Sequence, residues 1–189
     1  MTPIVVLVAG THGHHDSWWK PESDFSRMLL SHGIRVADNS DPYAWCTRLE
    51  GLFGNNVVWD TSGKALRWYA RSKVRHYPLS VVAHSHGGQV AAYAAAQGLQ
   101  IERLVTVATP VRGDMDEVYS KAAQNIGRWV HLHSNNDIWQ VLGGLMDGKW
   151  GIHREVPYAD ENIMVPDIQH SDFLHPELWE ENGWWTYIK

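Results

Sequence analysis

Ser85 stands where a β-branched apolar run, Leu79-Ser80-Val81-Val82-Ala83, gives way through His84-Ser85-His86 to Gly87-Gly88-Gln89-Val90-Ala91-Ala92, a run of mostly small residues. A buried strand, a tight turn and a helix read from that pattern, and a serine at such a junction is the context a nucleophile elbow requires. The residues two before and two after the serine must be small for strand and helix to pass closely. Ala83 and Gly87 meet this, so G-x-S-x-G is present with alanine in its first place. The turn would hold the hydroxyl at a helix N-terminus, where free N–H groups and the dipole favour an oxyanion. The plainer alternative is that Ser85 merely caps the helix, as serine often does.

A second set of polar residues follows the first apolar run: Ala9-Gly10-Thr11-His12-Gly13-His14-His15-Asp16-Ser17-Trp18-Trp19. In a parallel sheet the loops after strand ends gather at one edge, so the loops after Val8 and Ala83 would meet. An oxyanion hole needs two backbone N–H donors fixed in advance. His86, next to the serine, can supply one and His14 the other. Trp18 and Trp19 at the end of this loop could line a substrate pocket, although most of the eleven tryptophans are expected to pack in or just under the core.

His12-Gly13, then Ala83-His84-Ser85-His86-Gly87-Gly88, then Thr106-Val107-Ala108-Thr109-Pro110-Val111-Arg112-Gly113, in that order, resemble small lipases and esterases of the α/β-hydrolase superfamily. The third element resembles the Gly-Thr-Pro-His-x-Gly segment of those lipases, with Ala108 and Arg112 departing from it. The resemblance implies the chain order serine, carboxylate, histidine. Trp129-Val130-His131-Leu132-His133-Ser134-Asn135-Asn136-Asp137 offers a strand followed by a polar turn, making Asp137 the favoured acid over Asp114 and Asp116. Ile168-Gln169-His170-Ser171-Asp172-Phe173-Leu174 resembles the His-Ser-x-x-Leu context of the lipase histidine, favouring His170 over His175, which sits beside Pro176. A serine hydroxyl needs such a base to take its proton and a carboxylate to orient that base. The implied activity is cleavage of a small carboxylic ester through an acyl-enzyme, with no cofactor.

Two other readings compete. His12, His14 and Asp16 form H-x-H-x-D, part of the metallo-β-lactamase signature, and could hold zinc. That signature continues with a histidine where Ser17 stands, and its fold needs antiparallel strands ahead of the motif. A non-catalytic binding protein on the same fold is the second, since fold alone does not establish activity.

The elements that must position these residues are legible as alternation. Strands are expected at Ile4–Val8, Leu79–Ala83 and Leu104–Val107, with weaker ones at Ile34–Ala37 and Trp129–Leu132. Helical spacing falls at Phe25–Leu30, Ala65–Val74, Gln89–Ala96 and Glu117–Asn125. Residues 135–166 read as a short helix and loops, and Pro176–Asn182 as a last helix closing on Gly183. Alternation of this kind implies an α/β fold: a mostly parallel sheet with helices on both faces. The expectation is one α/β-hydrolase domain over residues 1–189, a minimal version without a large lid.

Composition agrees with a folded protein and narrows the partners. The chain is 44% hydrophobic and 20% charged, and its net charge of −5 with no basic run excludes a nucleic-acid surface. Cys46 is the only cysteine, so no intrachain disulfide can form. The N-terminal apolar run lacks a basic flank and is too short for a signal peptide or a membrane span, which makes a cytoplasmic protein the expectation.

Overall fold

A computed structural model describes residues 3–11, 17–37, 43–45, 56–74, 78–138 and 155–189. Six strands build one sheet: β1 (Ile4–Val8), β2 (Arg35–Val36), β3 (Leu79–His84), β4 (Ile101–Val107), β5 (Ile126–His133) and β6 (Glu161–Met164). Their order is β2-β1-β3-β4-β5-β6, and every neighbouring pair is parallel. The chain leaves β1 toward β2 on one side and then crosses to β3 on the other. The gap between the carboxyl ends of β1 and β3 is thus the topological switch point, where open α/β sheets bind their ligands.

The central runs are continuously apolar because both faces of the sheet are covered. Along β1, Ile4, Val6 and Val8 belong to one core, and Val5 and Leu7 to the other. The first core is closed by α2 (Asn56–Lys73), α3 (Gly87–Ala96) and α4 (Asp116–Ala123), through Trp59, Leu66, Val90, Ala91, Tyr119 and Ala122. The second is closed by α1 (Asp24–Ser31) and α5 (Pro176–Asn182), with Phe25, Leu29 and Trp179 all but fully buried. In α1 the buried Phe25, Met28 and Leu29 follow the three- and four-residue spacing of a helix face, and Ser23 caps it by accepting from the Ser26 N–H at 3.0 Å.

The structure adds to the sequence reading in four places. Strand β6 lies within residues 135–166, which were expected to hold only a short helix and loops; it pairs with β5 from Val130↔Glu161 to His133↔Met164. Helix α2 begins at Asn56, nine residues before the expected Ala65. Strands β4 and β5 each begin three residues before their expected starts. A 3-10 segment, Trp184–Ile188, follows α5 and buries Trp184 and Ile188. The close of α5 on Gly183 is as expected, with that residue left-handed at φ 65°. The segment 139–154 lies outside the described residues. Among the described residues no helix is long and apolar enough to cross a membrane.

Candidate active site

Strand β3 ends at His84, and Ser85 follows with φ 53°, a left-handed conformation that costs a side-chain-bearing residue on the order of 1–3 kcal/mol. The turn is held in place from both sides. The Ser85 N–H donates to the Val107 carbonyl at the end of β4 (2.9 Å), and the Gly88 N–H donates back to the Ser85 carbonyl (2.9 Å). Helix α3 then starts directly above the ends of β1 and β3.

Small residues allow that approach. A methyl group on Gly87 would stand 2.5 Å from the Val8 carbonyl oxygen and 2.6 Å from that of Ala9. These are backbone atoms and cannot turn aside. A methyl group on Gly10 would meet Ser85 Cβ at 2.7 Å, so the loop after β1 passes directly against the serine. Ala83, two residues before the serine, is wholly buried. The expected meeting of the two loops therefore occurs at Gly10 and Ser85.

Asp137 sits past the carboxyl end of β5, in the turn begun by Ser134, whose Oγ accepts the Asn136 N–H at 3.1 Å. Its side chain is fully buried, and its Oδ2 lies 2.7 Å from Nδ1 of His170. A carboxylate only accepts, so Nδ1 carries the proton, and in the neutral ring Nε2 is left as the base. His170 occupies the loop between β6 and the 3-10 turn Asp172–Leu174. That loop is pinned by the Gln169 N–H donating to Asp172 Oδ2 (2.7 Å) and by Phe173, which is wholly buried and whose carbonyl accepts from the Trp179 indole (2.8 Å).

His84 and His86, on either side of Ser85, connect the serine to these loops. His84 Nε2 donates to the His170 carbonyl (3.0 Å), and the two rings stand 4.7 Å apart. His86 Nδ1 lies 2.7 Å from Thr11 Oγ1 in the loop after β1, and its ring lies 5.2 Å from that of Trp59. Burial, reinforced by the nearby His170, pushes His84 down to about 3; burial, then His170 and Arg112, pushes His86 down to about 4. Both rings are neutral at ordinary pH.

The residues singled out in the sequence are thus distributed as follows. Asp137 and His170 are hydrogen-bonded, and His170 reaches electrostatically to both residues flanking Ser85. Among the described residues no hydrogen bond joins Ser85 Oγ to His170. His14, together with the possible metal ligands His12 and Asp16, lies outside the described residues. Among the described residues no group of three or more histidine, cysteine, aspartate or glutamate side chains is arranged to hold a metal ion. Trp18 and Trp19 are buried core residues, and Trp18 packs edge-on against Phe25 and against His84. The competing acid Asp114 is forked by Arg112, whose hydrogen bonds hold its carboxyl below the usual range. Sequence reasoning missed the side-chain roles of His84, His86 and Thr11; the His-Ser-His triplet was the available signal.

No protein-family model and no curated protein matches the chain by sequence. Solved structures do match by fold. The esterase domain of a Rhodothermus marinus protein superposes with a TM-score of 0.58 at 14% identity, over all of this chain and 88% of that one. Dienelactone hydrolase from Anabaena variabilis gives 0.57 at 14%, over 98% of this chain and 82% of that one. MGS-MChE2, an α/β hydrolase enzyme from lagoon-sediment metagenome, gives 0.56 at 16%, over 98% and 90%. The six parallel strands, the helices on both faces and the strained serine after β3 define the class, and the chain has the α/β-hydrolase fold.

Proposed function

We propose that the protein is a serine hydrolase cleaving carboxylic esters through an acyl-enzyme on Ser85. The observation that carries this reading is a pair: a serine in a left-handed turn at the switch point, and a buried Asp137–His170 hydrogen bond whose loop is tied to the residue before that serine. His170 Nε2 takes the Ser85 proton as Oγ attacks the ester carbonyl, and the same proton then passes to the departing alcohol. Backbone N–H groups of His86 and His14 hold the oxyanion, and water activated by His170 releases the acid and restores the serine. Asp137 keeps His170 in the tautomer that leaves Nε2 free and stabilises the charged ring. The substrate is a small ester. The esterase named among the fold neighbours supports this choice by analogy.

A fluorophosphonate probe, with and without chelator, tests the reading. Labelling that chelator leaves intact and Ser85→Ala abolishes is expected. Chelator-sensitive ester hydrolysis without labelling would instead favour a metal site at His12, His14 and Asp16.

A further inference from the structure

The triplet His84-Ser85-His86 contains two imidazoles for which the relay just described has no side-chain use. His84 is buried and His86 partly so, each is neutral, and each points to a different loop of the site. We infer that His84 and His86 are positioning residues, His84 tying the loop of the base to the elbow and His86 tying the loop after β1 to it. The inference rests on the serine-hydrolase reading above.

The geometry fixes what each ring does. The partner of His84 Nε2 is a carbonyl, which can only accept, so Nε2 carries the proton and Nδ1 is bare. Nδ1 has no partner among the described residues and faces Gly10, where an added methyl group would stand 3.3 Å from it. A buried ring is thus committed to one hydrogen bond, and that bond holds the backbone of His170 itself. Asp137 sets the rotation of the His170 ring, while His84 sets how far that ring stands from Ser85. The alternative way to hold the loop, a cationic donor such as an ammonium or guanidinium, would repel the imidazolium that forms on His170 during reaction. A permanently neutral donor avoids this.

His86 acts on the opposite side. Its Nδ1 meets the Thr11 hydroxyl and its ring lies against Trp59, and Trp59 in turn lies beneath the Arg112 guanidinium, 5.2 Å from the ring centroid. Thr11 follows Gly10, where an added methyl group would stand 2.7 Å from Ser85 Cβ. The Thr11–His86 bond therefore fixes the start of the loop after β1 against the turn that carries the His86 backbone donor. Donors are effective only when aimed in advance at the place where charge develops.

The test uses full-length protein and a fluorophosphonate, reading the second-order labelling rate beside a thermal melt. His84→Leu removes the donor. Labelling should slow by about 10–100-fold, because a displacement near 1 Å costs up to ~10²-fold. His84→Gln, whose amide can donate in place of Nε2, should recover most of that rate. Thr11→Val, nearly isosteric, should slow labelling without changing the melt. Wild-type labelling that His84→Leu and Thr11→Val both leave at the wild-type rate would overturn the inference and spare the serine-hydrolase reading. Absence of wild-type labelling would overturn that reading first. If His84→Leu does not fold, nitrogen-15 histidine spectra of the wild-type protein decide for His84. A ring protonated at Nε2 alone from pH 5 to 8 supports the tie, and a proton on Nδ1 overturns it.

Discussion

The two edges of the sheet solve the same geometric problem with different residues. At the amino edge, chain reversals into strands use glycine: Gly33 ahead of β2 at φ 74° and Gly98 ahead of β4 at φ 87°. At the carboxyl edge the left-handed positions carry side chains: Ser85 after β3 at φ 53°, Ala108 after β4 at φ 51° and Asp167 after β6 at φ 60°. Glycine would relax each of these, so the carboxyl edge holds strain that the amino edge avoids. The same edge gathers the buried polar side chains His84, Ser85, Thr109, Ser134 and Asp137. Strain of this kind collects at functional sites, and here it collects at the edge where the proposed relay lies.

Substitutions should separate the edges. The largest effects belong to the relay: Ser85→Ala should lower kcat toward a p-nitrophenyl ester by on the order of 10⁴-fold or more, and Asp137→Asn by about 10²–10⁴-fold, with melting temperatures little changed by the first. Gly87→Ala should strike fold and site together. Its methyl group meets two backbone carbonyls, so a loss of about 3 kcal/mol in urea unfolding is expected.

Acid should unfold the protein through the carboxyl edge as well. In the unfolded chain His84 and His86 bind protons below about pH 6.5, whereas the folded rings resist until about pH 3 and 4. The unfolded state binds more protons throughout that window, so stability falls as pH falls from about 6.5 toward 4, by about 1.4 kcal/mol per pH unit for each ring. Chemical unfolding at successive pH values measures this slope, and His84→Gln should lower it by about 1.4 kcal/mol per pH unit, the contribution of one ring.

The smallest effects test the contrast in backbone strain. Gly98→Ala should cost about 1–2 kcal/mol with activity intact, since its methyl group meets nothing but its φ is unfavourable. Ser85→Gly should be more stable than Ser85→Ala by about 1 kcal/mol, the reverse of the order at an ordinary helix position, and equally inactive.

What the sequence disclosed follows the same division. Ile4–Val8 and Leu79–Ala83 were readable because burial on both faces leaves unbroken apolar runs, and Ser85 because a tight turn demands small neighbours. The pairing of Asp137 with His170 came from chain order and local context, with no periodicity behind it. Strand β6 was not readable: Glu161-Asn162-Ile163-Met164 is a short edge strand, only partly buried, and exists through its pairing with β5. The first half of α2 was hidden by Thr61-Ser62-Gly63, poor helix formers locally. Gly63 is there because a methyl group would stand 2.8 Å from the Ala94 nitrogen on α3. The rings of His84 and His86 were silent for a similar reason, since their partners, at His170 and Thr11, are 86 and 75 residues away.

The central claim is that Ser85 is the nucleophile and His170, oriented by Asp137, its base. Peptide-level mapping of the fluorophosphonate adduct, with labelling rates for wild type and His170→Ala, tests it most directly. A single phosphonyl group on the peptide bearing Ser85, formed at least 10²-fold more slowly without the His170 ring, is the predicted result. An adduct on any other residue, or a rate indifferent to His170, would contradict it.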